Sequence, residues 1–342
     1  MNTSERASAP VLVYGATGHT GRFVVDELLR RGVTPVLAGR DAERLAAVAP
    51  DHGLEVREVG LDDRDRLRRA ASDVGAVVNC AGPFLDTAVP LARAAVGAGA
   101  HYLDLTAEQS VVRELYRRLD APARHAGVAV VPAMAFYGGL ADLLVTSVLD
   151  GDTRADAVDV AIGLDHWWPT AGTRVTGHRN TATRQVIRAG RLAPLADPAP
   201  TRTWSFREPL GDHAVVELPF SEVLTIHRHL RVGELRSHLN AAPLQELRDP
   251  TTPAPSPTDG SGRSAQRFTV EVVVRRGAER RRVSAEGRDI YAVSAPIVVE
   301  GAVRLLDGRG AGAGALAPGQ AFDADDVLRA LEREAPDFRV CR

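Results

Sequence analysis

Val11-Leu12-Val13-Tyr14-Gly15-Ala16-Thr17-Gly18-His19-Thr20-Gly21-Arg22 is the stretch that decides the fold. A short apolar strand runs into glycines at G-x-x-G-x-x-G spacing. Phe23, Val24, Val25, Leu28 and Leu29 then recur at helical spacing up to Arg30-Arg31-Gly32, where Gly32 supplies a helix stop. A strand, a tight glycine turn and a helix opening make a dinucleotide phosphate site. Glycine lets the backbone approach the pyrophosphate, whose charge meets unpaired N–H groups at the helix N-terminus. The cofactor-binding candidates here are Gly15, Ala16, Thr17, Gly18, His19, Thr20 and Gly21.

A bare glycine pattern is weak evidence, so its context must carry it. The next apolar run, Thr34 to Ala38, ends at Gly39-Arg40, where the second strand of such a unit meets the adenosine ribose. An acidic residue there suits the ribose 2′-hydroxyl of NAD, and an arginine suits the 2′-phosphate of NADP. Arg40 therefore ranks NADP(H) first and NAD second, with Asp41 as an alternative partner for a ribose hydroxyl.

Composition bounds the remaining classes. At 342 residues the chain is long enough for two domains with a sizeable core. A formal charge of −2 gives no global electrostatic reason for nucleic-acid binding, and no apolar run is long enough to span a membrane. The polar stretch Met1 to Pro10 lacks a signal peptide's apolar core, so a cytoplasmic location is the expectation. Cys80 and Cys341 are too few for a disulfide framework or a cysteine-rich metal site. All 42 basic residues are arginine. Without lysine, Schiff-base chemistry, a Walker-type phosphate loop and the Tyr-x-x-x-Lys pair of short-chain dehydrogenases are all excluded.

Residues 1–133 alternate strand-like and helix-like runs, the signature of a Rossmann-type doubly wound parallel sheet. Strands are expected at Leu54 to Val59, Ala76 to Cys80, His101 to Leu105 and Val128 to Val131, with helices at Thr87 to Ala98 and Gln109 to His125. Asp62 follows the third strand near the adenine, and Ala81-Gly82-Pro83-Phe84 follows the fourth. Residues 134–286 read as a second, α+β domain with a mixed sheet. Its strands are expected at Ala157 to Leu164 and Glu222 to His229, with a hairpin of Phe268 to Arg275 and Arg281 to Ala285 across Gly277. Asp249 to Gln266 reads as a long mobile loop. Residues 287–342 return to the first domain with helices at Ala295 to Leu306 and Ala324 to Glu334, separated by the glycine-rich Arg309 to Gly314.

With these stretches in place, the chain resembles the saccharopine dehydrogenase-like reductases, a family that includes trans-acting enoyl reductases. The likeness is carried by the Gly15-to-Gly21 turn with Arg40, by Val78-Asn79-Cys80-Ala81-Gly82-Pro83-Phe84, and by Gly99-Ala100-His101-Tyr102-Leu103-Asp104-Leu105-Thr106-Ala107-Glu108. Gly287-Arg288-Asp289-Ile290-Tyr291 adds to it. The resemblance implies an NAD(P)-binding domain, a substrate domain inserted after the sixth strand, and a C-terminal return. One departure stands out. Relatives carry a Gly-Phe-Asp-Ser-x-Pro-x-Asp type segment where this chain has Ala135-Phe136-Tyr137-Gly138-Gly139-Leu140-Ala141-Asp142. The lysine that saccharopine-forming enzymes use as acid and base has no counterpart, so saccharopine is not the expected substrate.

Ligands bind outside the carboxyl ends of such strands, which makes Gly82, Pro83, Phe84, Asp104 to Glu108 and Ala135 to Gly139 the expected border of the nicotinamide. Hydride transfer usually needs a proton donor. Tyr137 is the first candidate, with packing as its alternative, and Asp104 is a candidate for orienting the donor. Glu108 reads as a helix cap or an acid, and His101 and Tyr102 as structural. In the second domain, His166-Trp167-Trp168 offers a catalytic histidine and a tryptophan pocket wall, or a subunit interface. Arg174 and Arg179, leading through Asn180-Thr181 into an expected helical run to Ile187, suit an anionic substrate group, with Asn180 or Thr181 as a plain helix cap the alternative. His227 and His229 share a face of the expected strand, yet no third ligand is visible and no metal is expected. The expectation is an NADPH-dependent oxidoreductase reducing a C=N, C=O or C=C bond of a small organic substrate, with a redox-inert NADP(H)-binding regulator as alternative. Neither nucleic acid nor membrane is an expected partner, and a homodimer through the second domain is one option.

Overall fold

The computed structural model describes residues 8–48 and 53–342, so most of the polar N-terminal stretch and residues 49–52 lie outside the described residues. The first apolar runs form β1 (Val11–Tyr14), β2 (Pro35–Gly39), β3 (Val56–Glu58), β4 (Ala76–Asn79), β5 (His101–Asp104) and β6 (Ala129–Val131). They pair in the order β6-β5-β4-β1-β2-β3, with β1 parallel to both β2 and β4. Near-complete burial of β1 and β2 explains their unbroken apolar character, because helices cover both faces. Tyr14 stands level with Ala38 and Asn79, so the strands end together and their following loops gather at one edge. Gly314–Ala315 adds a seventh strand beside β6, too short for any periodicity to announce it.

The second sheet contains β7 (Arg154–Leu164), β8 (Gln185–Arg188), β9 (Arg191–Pro194), β10 (Thr201–Ser205), β11 (Asp212–Glu217), β12 (Arg231–Asn240), β13 (Arg267–Arg276) and β14 (Glu279–Arg288). Its order is β10-β11-β12-β7-β13-β14, closed by Arg339–Cys341, with β8 pairing β12 and β9. Only β12 and β7 run parallel along this path, so the sheet is mixed as expected. The last eight residues of β7 are all buried, so both of its faces are covered there. The sheet curls, and β10 lies back across it. Trp204 Nε1 donates to Glu271 Oε2 at 2.8 Å and Arg202 reaches Asp159 at 3.2 Å, while Trp204 and Phe206 pack with Ala161 and Val273.

Two expectations fail in this domain. Glu222–His229 is a helix, not a strand. Its Val223 and Ile226, three residues apart, are buried in the core, and on a helix His227 and His229 lie about 200° apart rather than on a shared face. The helix near Asn180 also precedes it: Ala171–Arg179 is capped by Thr170, whose side chain accepts from Thr173 N, and Asn180 is the C-terminal cap. Gln185 to Ile187 belongs to β8 instead. Residues 249–266 are irregular as read from composition. In the C-terminal part, Ser294–Leu306 packs on His19–Arg30 and β5, whereas Ala324–Glu334 packs on Ala141–Leu149. The last segment therefore ties the two sheets together. Among the described residues no helix is long and apolar enough to cross a membrane.

Candidate active site

The glycine turn is shaped for an anion. Gly15 sits at φ +85°, and a Cβ there would lie 2.9 Å from Ala81 N, so the loop after β4 packs directly on it. A Cβ at Gly21 would lie 2.2 Å from Gly15 O, which holds the helix His19–Arg30 tightly against the turn. Gly18 caps that helix without a side chain, and its first turn carries no acidic residue. The N–H groups are thus left for a ligand, and the cradle fits a dinucleotide pyrophosphate.

At the end of β2, Arg40 is exposed and makes no ion pair among the described residues. Asp41 is spent on the helix Ala42–Ala46, accepting from Arg44 N at 3.0 Å. Burial raises the Tyr14 phenol, while Arg40 and Asp62 act on it with opposite sign, which places both charges near the end of β1. Among the described residues Arg40 is thus a cation at the end of β2 without an ion-pair partner. It suits a 2′-phosphate.

Beyond the turn, a cleft of roughly 240 Å³ opens between the two domains. Thr20, Gly82 and Phe84 border it on the first domain, and Tyr137, Trp167 and Phe220 wall it opposite. Ala171–Arg179 approaches so closely that a Cβ at Gly82 would lie 3.2 Å from Thr176 Oγ1. The Tyr137 ring stacks on Trp167 at 5.7 Å between centroids and tilts against Phe220 at 4.3 Å. Among the described residues its hydroxyl is buried with no hydrogen-bond partner, and burial lifts the phenol well above its ordinary range, so it stays protonated. Tyr137 is carried by the irregular turn Phe136–Leu140, where Gly138 adopts φ +97°.

Glu108 also lines this cleft. It occupies the cap position of Gln109–Ala126, yet its side chain makes no capping bond. Glu108 Oε2 accepts from Thr106 Oγ1 at 2.5 Å, and among the described residues Oε1 is buried without a hydrogen-bond partner. Burial pushes this carboxyl up to about 7. Asp104 lies beneath, fully buried, accepting from Thr106 N, Ala133 N and the Tyr102 hydroxyl. Burial raises it to about 6 against the pull of those bonds, and its bond to Ala133 secures a residue at φ +56°. Tyr102 and His101 are structural, the latter accepting from Ala129 N at 3.0 Å.

The second-domain candidates separate. Trp167 is in the cleft, held by Tyr291, whose hydroxyl accepts from Trp167 Nε1 at 3.1 Å. His166 lies outside it, stacked on Trp168 and 2.8 Å from Glu246. Arg174 donates to the carbonyls of Asp249 and Thr252, anchoring the long loop, and Arg179 pairs with Asp86 at the surface. Neither arginine lines the cleft. Arg184 does; it stands just before β8, in a segment whose sequence reads as helix. Among the described residues there is no cluster of three or more metal-ligating side chains. His229 instead bonds Asp142 at 2.8 Å.

Residues 11–131 match the family model described as saccharopine dehydrogenase NADP binding domain. The first domain is therefore similar to the NADP binding domain of that family. NADP(H) is the dinucleotide of that domain, in agreement with Arg40. Among curated proteins, the human saccharopine dehydrogenase-like oxidoreductase is 28% identical over 71% of this chain and 63% of its own length. The trans-acting enoyl reductase of Mycobacterium tuberculosis is 29% identical over 52% of this chain and 45% of its own. The matched regions thus span less than two thirds of either relative. Of solved structures, apo saccharopine dehydrogenase (L-Glu forming) from Saccharomyces cerevisiae has the same fold, with a TM-score of 0.70 over 98% of this chain and 100% of that one at 11% identity. The doubly wound sheet with a second mixed-sheet domain is therefore a saccharopine dehydrogenase fold.

Proposed function

We propose that this chain is an NADPH-dependent oxidoreductase that reduces a C=N, C=O or C=C bond of a small organic molecule held between its domains. The observation that carries this reading is the continuity of the glycine cradle with an aromatic-walled cleft, bordered by Thr20 and Gly82 at one side and Tyr137 and Trp167 at the other. Matched relatives named as an oxidoreductase and an enoyl reductase support it. Gly15 to Gly21 and Arg40 would hold NADPH, which supplies the hydride when bound.

The chain supplies the rest. Apolar walls exclude water and leave polar groups in low dielectric, where they act more strongly. Glu108 is the acid best matched to neutral pH, because a carboxyl near 7 both holds a proton and yields it. Tyr137, kept neutral, donates a hydrogen bond that orients the substrate heteroatom. Asp104 positions the Thr106 and Ala133 backbone beneath them. His166 has no part in this scheme, since it lies outside the cleft.

NADPH oxidation followed with a panel of ketones, imines and 2-enoyl compounds tests the proposal. Turnover of one class is expected, with Glu108→Gln lowering kcat roughly a hundredfold. Tight cofactor binding without turnover on any class would refute it in favour of a redox-inert NADP(H)-binding protein. A cytoplasmic site of action remains part of the proposal.

A further inference from the structure

Arg184 poses an electrostatic problem that the cleft itself does not solve. Its Nη1 donates to Pro219 O at 2.6 Å and its guanidinium lies 4.9 Å from the Phe220 ring centroid. Among the described residues it has no ion-pair partner, although almost every other arginine that faces the interior has one, as Arg31 and Arg304 do with Glu300. Burial pushes the Arg184 guanidinium down from the ordinary arginine range, while Glu222, Tyr137 and Glu108 lie near enough to act on it. Of these, Tyr137 is neutral, Glu108 is mostly protonated below about 7, and Glu222 is turned to Phe220 N at 2.9 Å. A part-buried cation beside an aromatic ring, with no carboxylate in ion-pair contact, is costly to hold, and a ligand anion that pairs with it removes that cost.

We propose that the substrate is a small apolar acid whose carboxylate pairs with Arg184 while its hydrocarbon body packs between Phe84, Tyr137, Trp167 and Phe220. This rests on the reductase reading for the word substrate, but the binding claim stands apart from turnover. The volume, roughly 240 Å³, is below the usual range of about 300–1,000 Å³ for ligand clefts, which favours a compact molecule over a long acyl chain. The guanidinium fork matches a carboxylate in two parallel hydrogen bonds, so acid is distinguished from amide by charge and geometry together. A polar diacid such as a fused amino acid gains nothing from the walls. The selectivity is for one charge and an apolar remainder.

Calorimetric titration of the full chain, with and without NADP+, reads this directly. The probes are 3-phenylpropionate and 3-phenylpropionamide. The acid is expected to bind at least tenfold more tightly than the amide. That preference should vanish in Arg184→Gln and survive in part in Arg184→Lys, with NADP+ affinity unchanged. Equal binding of acid and amide by the wild type would overturn the proposal, and so would a preference retained in Arg184→Gln. If Arg184→Gln fails to fold, the wild-type comparison alone decides. An acid preference together with no NADPH oxidation by any 2-oxo, imino or 2-enoic acid would refute the reductase reading and leave the binding site standing.

Discussion

Glu108 is the side chain whose environment says most about the chemistry. Folding raises its carboxyl from the ordinary glutamate range to about 7, with burial as the main cause. The folded state therefore holds this proton more tightly, and its stabilising effect is complete at acid pH and lost as pH rises through about 7. The catalytic consequence has the same sign. Turnover should fall as pH rises through about 7, and Glu108→Gln should be slower and flat across that range; an unchanged profile in the variant would remove Glu108 from the proton path. At the ribose end, Arg40→Ala should weaken NADPH by about tenfold or more and leave NADH nearly unchanged, as measured by titration of each. Equal losses would refute the 2′-phosphate assignment. Phe84, Tyr137 and Trp167 were legible in the sequence because each follows a recognisable strand end. Glu108 was half-legible: its place at a helix start suggested a cap, and only the fold shows its side chain bonded to Thr106 instead.

Elements were read best where burial imposes one period over many residues. The helix Ala324–Glu334 and the strands around Val11–Tyr14 have that property. The run Glu222–His229 has not, because its β-branched residues imitate a strand while tertiary packing buries a helical face. Its end matters to the fold. His229 Nε2 meets the fully buried Asp142 at 2.8 Å, and Asp142 also accepts from Gly319 N. Burial pulls the His229 ring down, but the Asp142 charge and hydrogen bond outweigh it and hold the ring above its ordinary value. This contribution is present at acid pH and is lost as pH rises through the raised value. His229→Ala should cost roughly 3 kcal/mol in urea unfolding, and a loss near zero would show that the pair is not structural. The turn under Tyr137 is as constrained. A Cβ at Gly138 would lie 2.5 Å from Ser221 Oγ at φ +97°, so Gly138→Ala should cost about 2–4 kcal/mol and displace Tyr137. Near-wild-type stability there would contradict the geometry.

For the whole molecule, the division into a dinucleotide domain and a mixed-sheet domain was visible in the change of rhythm after Pro132. How the two meet was not. Arg184 reaches the cleft from the residue just before β8, some fifty residues beyond Tyr137 in sequence, and nothing local marks it. The long segment 249–266, by contrast, was legible as loop from composition, but its tethering by Arg174 and by Arg288 to Asp259 needs the assembled fold. Cofactor cradle, acid and cation come from separate parts of the chain and converge on one cleft, and hydride delivery into that cleft is the central claim. The direct measurement is mass spectrometry of the product formed from NADPH carrying deuterium at its transferable position, with small apolar oxo, imino and 2-enoic acids as acceptors. The account predicts that one acceptor class gains a single deuterium as NADPH is consumed, and that the gain is lost in Arg184→Gln. Full saturation with NADPH and no deuterium in any acceptor would contradict it.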